Sequence, residues 1–431
     1  MIKNKFYISL NNLVFVTAVL FMLLGRPFSG LYVLNYRLGE YLVAFGLVLL
    51  LFELKKNLNS YTKVKKYDKF FALHFFLVIS FIVSLLMKQE QFINPYVFRS
   101  SNYIWTISYI YLGIYLFKNF KLNMGHILFL NLTLMYSYII SIIFYPEFLS
   151  NFFIKYSDKF DYPKAHLHVL FFVVVTTLNS QYLKNKKFNV LYFIILSSLF
   201  FPIFIFKSRG SFLAVAFYFL LTLLFNFKYL KKSVVLLAFT LLISSFIFIF
   251  SSAYVSDSNL TSEGGAAIVS DIFENKNTQA TFLSFYIDEN RLYSKDGNIN
   301  WRLQIWQDVI INSFEYDQIF FGSGFSNKIP AMEDPSRSGY DGTNENVHNY
   351  FVNIIARGGY VQFLIISLMY LYIFKNFAES NRKVLLLTMP ILIVSFFDAS
   401  MENPHFPSVF YLFLGFLSNY SMYNKSEGTE K

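Results

Sequence analysis

Long apolar runs, nearly free of charge, recur from one end of the chain to the other. They cover about 6–24, 38–54, 70–87, 101–117, 124–145, 165–183, 188–206, 211–227, 233–254, 348–374, 384–397 and 405–423. Each approaches the ~20 residues that a helix needs to cross the hydrocarbon core of a bilayer. Barrel strands would instead alternate over ~10 residues, so run length predicts helices. The expectation is an all-α polytopic membrane protein with about twelve transmembrane helices. The first run follows Met-Ile-Lys-Asn-Lys and is too long for a signal peptide. No small-x-small cleavage site precedes Gly25-Arg26-Pro27, so it reads as an uncleaved first span.

One connection differs from the rest. Residues 255–347 form a loop of 93 residues between spans 9 and 10, and a loop of that length between short links is usually functional. The predicted organisation is spans 1–9 over 1–254, the large loop over 255–347, spans 10–12 over 348–423, and a tail over 424–431. Inside the loop, residues 301–310 read as an amphipathic helix capped by Asn300. Residues 334–346 are turn-forming, and Asn346 reads as the cap of the tenth span.

Composition narrows the class. Hydrophobic residues make up 55% of the chain and charged residues 15%, against about 25% charged in an average soluble domain. That excludes an ordinary soluble enzyme, a disordered protein and a fibrous repeat. Cysteine is absent, which removes disulfides, thiolate metal sites and a cysteine nucleophile. A net charge of +11 would suit nucleic acid, but the charges follow the topology instead. With the N-terminus inside, the inner segments hold 21 Lys/Arg and the short outer loops 9. The large loop has 6 Lys/Arg against 14 Asp/Glu, a net of −8, and so lies outside. Both termini are then cytoplasmic, and the basic surplus faces anionic membrane lipid rather than nucleic acid.

Four short constellations carry candidate chemistry, and each has a plain structural reading. Lys207-Ser208-Arg209-Gly210 joins two spans at the outer surface, where paired cations run against the positive-inside rule. They are either a snorkelling pair or a phosphate clamp. Arg302 and Trp306 share a helix face, as a surface cation packed on an aromatic would. Gly322-Ser323-Gly324-Phe325 is a flexible turn without the context of a nucleotide loop. His348-Asn349-Tyr350 lies at the predicted first turn of span 10, where the helix dipole would keep the imidazole neutral. Elsewhere, Arg357 is a cation inside span 10, beside Gly358-Gly359. His166 and His168 fall on different helix faces, which argues against a metal site, and Asp398 and Glu402 read as a solvated outer turn.

Taken in order, Ser208-Arg209-Gly210, Arg302 with Trp306, Phe321-Gly322-Ser323-Gly324 and His348-Asn349 resemble the bacterial O-antigen ligase and O-antigen polymerase family. Members are membrane glycosyltransferases that use polyprenyl-diphosphate-linked glycans. The topology resemblance spans the chain, and the motifs concentrate at 188–227 and 301–374. The resemblance implies that Arg209 and Arg302 stabilise the diphosphate and His348 is the general base. Lys207, Trp306, Gly322, Gly324, Asn349 and Arg357 become substrate-binding candidates. It also places the chain in the bacterial cytoplasmic membrane, with the large loop on the outer face. The partners are then a lipid-diphosphate glycan donor and a lipid A core or other glycan acceptor. No cofactor is expected, and no compact acidic motif stands ready for a metal. The outer connection at 146–164 has only 19 residues, which leans towards a ligase over a polymerase. A lipid-linked oligosaccharide flippase is the competing class, although its spans should carry more polar residues along a route.

Overall fold

The computed structural model describes residues 2–59, 65–116, 122–158, 160–183, 185–230, 234–257, 284–315, 318–337, 344–377 and 382–428. Every apolar run forms helix in place. The helices are α1 (Ile2–Ser29), α2 (Leu38–Asn59), α3 (Lys65–Met87), α4 (Pro95–Ser100), α5 (Asn102–Thr106), α6 (Tyr109–Leu116), α7 (Met124–Ile142) and α8 (Glu147–Tyr156). They continue with α9 (Ala165–Tyr182), α10 (Lys186–Lys207), α11 (Arg209–Leu230), α12 (Val234–Asp257), α13 (Gly297–Glu315), α14 (Tyr350–Tyr372), α15 (Arg382–Phe397) and α16 (His405–Gly428). Among the described residues, strand is confined to two small antiparallel hairpins, β1 (Tyr32–Val33) with β2 (Tyr36–Arg37) and β3 (Phe285–Asp288) with β4 (Arg291–Ser294).

Seven helices among the described residues are long and apolar enough to cross a membrane. They are α1, α3, α7, α10, α11, α12 and α14. The predicted count of twelve is therefore not reached on length and apolarity alone. The clearest departure is 101–117, expected as one span. It is broken between Thr106 and Tyr109, and α6 packs closely on α16. Apolar content there reflects burial rather than one straight crossing: Tyr103, Ile104, Trp105, Ile107 and Ile110 are all buried.

Most buried side chains form one core between these helices. A second, smaller core holds the described part of the large loop in place. Ile305 and Val309 of α13 pack with Ile329 and Met332 of the loop and with Val352, Ile355 and Ala356 at the start of α14. This gives α13 a buried stripe at helical spacing, so its register on the bundle is set by apolar contact. The helix begins earlier than expected. Its first-turn N–H at Ile299 donates to the Asp296 side chain at 2.9 Å, while Asn300 lies inside the helix and accepts from Ser294 N. The cap is thus Asp296, not Asn300. Similarly, α14 is capped by Asn349, whose carboxamide oxygen accepts from Phe351 N and Val352 N, and Asn346 lies upstream. Residues 258–283 of the loop fall outside the described residues.

The orientation predicted from basic residues has a direct test, because the chain has no cysteine to give background. Ser336→Cys should react with a membrane-impermeant maleimide in intact spheroplasts. Asn185→Cys, at the opposite end of the bundle, should react only after lysis. The reverse pattern would invert the topology.

Candidate active site

The helices end in a cavity of about 610 Å³. Its polar lining includes Arg26, Arg99, Lys164, His166, Arg302, His348 and Asp398. These residues come from connections far apart in sequence, all of them predicted on one side of the membrane. The cavity is therefore a product of the bundle and not of any one motif.

Each wall has a local cause. In α1 the helix breaks at Gly25, which has φ 58°, just before Arg26 and Pro27. Proline cannot continue the hydrogen-bond ladder, so the chain turns there. Arg26 then pairs with Asp161 at 2.9 Å, and Lys164 pairs with the same carboxylate at 3.4 Å. From the other side, α13 carries Arg302 and Trp301 inward. The Arg302 guanidinium donates to the carbonyl of Phe397 at 2.5 Å. Among the described residues it makes no ion pair. Burial pulls its pKa below the ordinary arginine value, with Asp398 and Asp296 opposing that effect and Arg209 adding to it. A largely desolvated guanidinium without a carboxylate partner, at the wall of a cavity, is prepared to receive an anion.

His348 faces the same space. It is not in the first turn of α14 as expected, because it precedes the cap Asn349 and has φ 53°. That left-handed backbone is uncommon for a residue with a side chain, and such strain clusters at functional positions. The ring packs edge-on against Trp301, with centroids 5.3 Å apart. Its pKa falls to about 4, mainly through burial and secondarily through Arg302, with Asp398 pulling the other way. The imidazole is neutral at pH 7, but burial and a neighbouring cation cause this rather than a helix dipole. Across the cavity, His166 Nδ1 lies 3.0 Å from Asp398 Oδ2. Burial raises the Asp398 pKa, but His166 and Arg302 outweigh it and hold the carboxyl below the usual range. The turn at 398–402, expected to be solvated, is instead part of the cavity system: Asp398 lines this cavity, and burial pushes Glu402 up to about 8.

The remaining sequence candidates lie outside the cavity lining. Arg209 pairs with Asp296 at 2.7 Å and so steadies the start of α13. Behind it, a Cβ at Gly210 would meet Phe397 Cβ at 2.6 Å. Only glycine allows α11 to approach the residue whose carbonyl holds Arg302. Lys207 donates to Ser141 O at 3.1 Å. Trp306 donates from its indole N–H to Val347 O at 2.8 Å and packs on Phe396, which holds the backbone just before His348. Asn349 is a helix cap.

Gly322, Gly324 and Arg357 form a separate structural unit. Helix α14 is broken at Gly359, with φ 70°. The groups freed by the break are taken up by the glycine turn: Ser323 N donates to Ala356 O at 2.7 Å, and Tyr360 N donates to Ile319 O at 2.8 Å. Broken helices at membrane depth need such internal partners. Gly322 and Gly324 have positive φ, and their missing Cβ atoms admit the α14 backbone and the Glu90 carboxylate. The Arg357 guanidinium, 5% exposed, donates to Asn327 O and to Tyr96 Oη. Gly359→Ala would place a Cβ 2.3 Å from Phe320 O in a left-handed conformation. It should destabilise the protein by about 2 kcal/mol or more, visible as a lower thermal midpoint in detergent.

Sequence reasoning missed Arg26, Arg99, Lys164 and Trp301 and undervalued His166 and Asp398. None sits in a recognisable motif. The shared signal was position, since all but Trp301 fall at the predicted outer ends of spans, and Trp301 begins the predicted loop helix beside Arg302.

Against known proteins, residues 191–367 match the family described as O-Antigen ligase. A search of curated proteins gave no match. The resemblance drawn from the four motifs is therefore borne out over these residues. The matched stretch contains Arg209, Arg302, His348 and Arg357, while Arg26, Lys164, His166 and Asp398 reach the cavity from outside it.

Proposed function

We propose that this chain, with its O-antigen ligase domain, is an inverting glycosyltransferase that works without a metal at the outer face of the bacterial cytoplasmic membrane. The donor is a glycan bonded through its anomeric carbon to polyprenyl (undecaprenyl) diphosphate. The acceptor is a sugar hydroxyl on a lipid A core or a related envelope glycan. The observation that carries this reading is Arg302, a half-buried guanidinium with no ion pair among the described residues, facing one cavity with a neutral His348.

In the reaction, the acceptor oxygen attacks the anomeric carbon opposite the leaving group. The new carbon–oxygen bond forms as the bond to the diphosphate breaks, and the electron pair leaves on the diphosphate. Arg302, supported by Arg26, Lys164 and Arg99, offsets the charge that develops there. His348 takes the hydroxyl proton. Arg209 acts at one remove: its pair with Asp296 fixes the first turn of α13 and hence the aim of Arg302. The diphosphate clamp is thus Arg302 with Arg26 and Lys164, in place of the Arg209–Arg302 pair drawn from motifs alone.

The short 146–164 connection favours the ligase branch over the polymerase. Glycans from a deletion strain separate the two. Long lipid-linked chains that never reach the acceptor mean ligase, single capped units mean polymerase, and an unchanged profile removes the enzyme reading.

A further inference from the structure

A second cavity, of about 450 Å³, adjoins the first. The two share Arg26, Arg99, Glu345, Asn346 and Asn403 in their walls, so they meet at one partition. Their chemistry differs. In the second cavity the polar side chains are tied into local contacts. Arg37 pairs with Asp158 at 3.1 Å, Glu40 accepts from Arg37 N at 3.0 Å, and Arg357 donates to Tyr96 Oη at 3.3 Å. Tyr96 in turn donates to Glu345 at 3.0 Å. Arg99 lines both cavities, so positive charge alone does not separate them.

Two kinds of group remain on offer. The first is aromatic. Tyr36 and Tyr41 line the cavity, edge to face at 6.1 Å, and both are exposed. The second is a buried acid. Glu402 has a carboxylate oxygen without a hydrogen-bond partner among the described residues, and burial outweighs Arg357 to keep the group protonated at neutral pH. A protonated carboxyl can donate to a hydroxyl or an amide oxygen, and a buried one left unpaired is costly. Beside them Val43, Ala44, Ile93 and Phe98 form an apolar wall, with Ile93 90% exposed.

We propose that this second cavity binds the acceptor, as the uncharged, hydroxyl-rich end of a glycan on a lipid anchor. Its sugar packs on Tyr36 and Tyr41, and its anchor lies along the apolar wall between α2 and α4. The shared partition then delivers the attacking hydroxyl from the second cavity to the first. The inference rests on the donor reading above but fails separately from it.

The absence of native cysteine makes an occupancy experiment possible. Tyr36→Cys and Ile93→Cys report the second cavity, and Asn298→Cys reports the first. Each variant is placed in phosphatidylglycerol nanodiscs, and its maleimide labelling rate is measured with three probes. The probes are undecaprenyl diphosphate, a synthetic glycolipid with a neutral oligosaccharide on a dialkyl anchor, and that anchor without sugar. At about ten times its Kd, the glycolipid should slow labelling at Tyr36→Cys and Ile93→Cys about tenfold. It should leave Asn298→Cys unchanged, and the bare anchor should protect neither second-cavity position to the same degree. Equal protection by the bare anchor would make the cavity a lipid site and overturn the proposal. So would protection at Tyr36→Cys and Ile93→Cys by undecaprenyl diphosphate, or no protection there by the glycolipid. Failure of undecaprenyl diphosphate to protect Asn298→Cys would instead count against the donor reading. Glu402→Gln supplies a second readout: acceptor KM should rise severalfold while donor binding holds. A change in donor binding with acceptor KM unmoved would place Glu402 on the donor side and overturn the assignment.

Discussion

Replacing Arg302 by Ala should lower transfer about a hundredfold or more while the protein still inserts and folds. A guanidinium–phosphate contact that strengthens as the leaving group departs is worth on the order of 3 kcal/mol in the transition state. In the resting site the Arg302 side chain donates to one carbonyl and makes no ion pair among the described residues, so its removal breaks no direct ion pair there. The loss should therefore appear in turnover and in affinity for undecaprenyl diphosphate rather than in thermal stability. Arg302→Lys should recover little, because an ammonium is a point charge and cannot grip two oxygens while donating to Phe397. Arg209→Ala should cost less, since it loosens the start of α13 through Asp296 without emptying the anion site. Transfer by purified protein in nanodiscs, with donor binding measured in parallel, checks all three. Near-normal turnover by the Ala variant would move the clamp to Arg26 and Lys164.

The His348→Gln variant should lose ~10²–10⁴-fold in turnover and keep donor binding, because glutamine preserves a hydrogen bond but cannot accept the proton. The pH profile gives an independent check. A base must be unprotonated to act, so activity is lost as pH falls through its pKa. With the His348 pKa lowered to about 4 by burial and Arg302, the acidic limb of kcat/KM should lie well below the 6.5 of an ordinary histidine. Removing the Arg302 cation takes away one cause of that lowering, so in Arg302→Lys the limb should stay low and in Arg302→Ala it should move up. Bound diphosphate raises the pKa, which should place the kcat limb above the kcat/KM limb. A Gln variant with most of its transfer rate would leave His348 as a positioning residue.

The membrane architecture was readable because it rests on run length. A helix in lipid must satisfy its own backbone, so each span writes itself into sequence as an uninterrupted apolar stretch. All twelve runs form helix, and the break at 101–117 escaped notice because a buried interrupted segment is as apolar as a span. Arg302 and His348 were readable for a related reason. Each is a chemically loud residue beside a structural signal, Arg302 on an amphipathic helix and His348 at the end of the polar loop. Asn349, Gly322 and Gly324 were loud too, but their chemistry is spent on the backbone of α14.

Tertiary structure alone decided which cations share a space. Arg209 and Arg302 are equivalent in sequence, yet one pairs with Asp296 and the other faces the cavity without an ion pair among the described residues. Arg26 and Lys164 stand 138 residues apart and meet over Asp161 because α1 breaks at Gly25 and the segment before α9 lies beside it. No local pattern encodes such convergence, since side-chain burial and charge pairing depend on every helix that packs around the site. The state of His348 shows the same division. Its neutrality was anticipated from a helix dipole, but the ring lies outside the helix, and desolvation by the assembled walls lowers its pKa. Composition and run length determined that this chain is a membrane helix bundle with one long connection. The packing of the helix ends around that connection determined which cations and which histidine share a cavity.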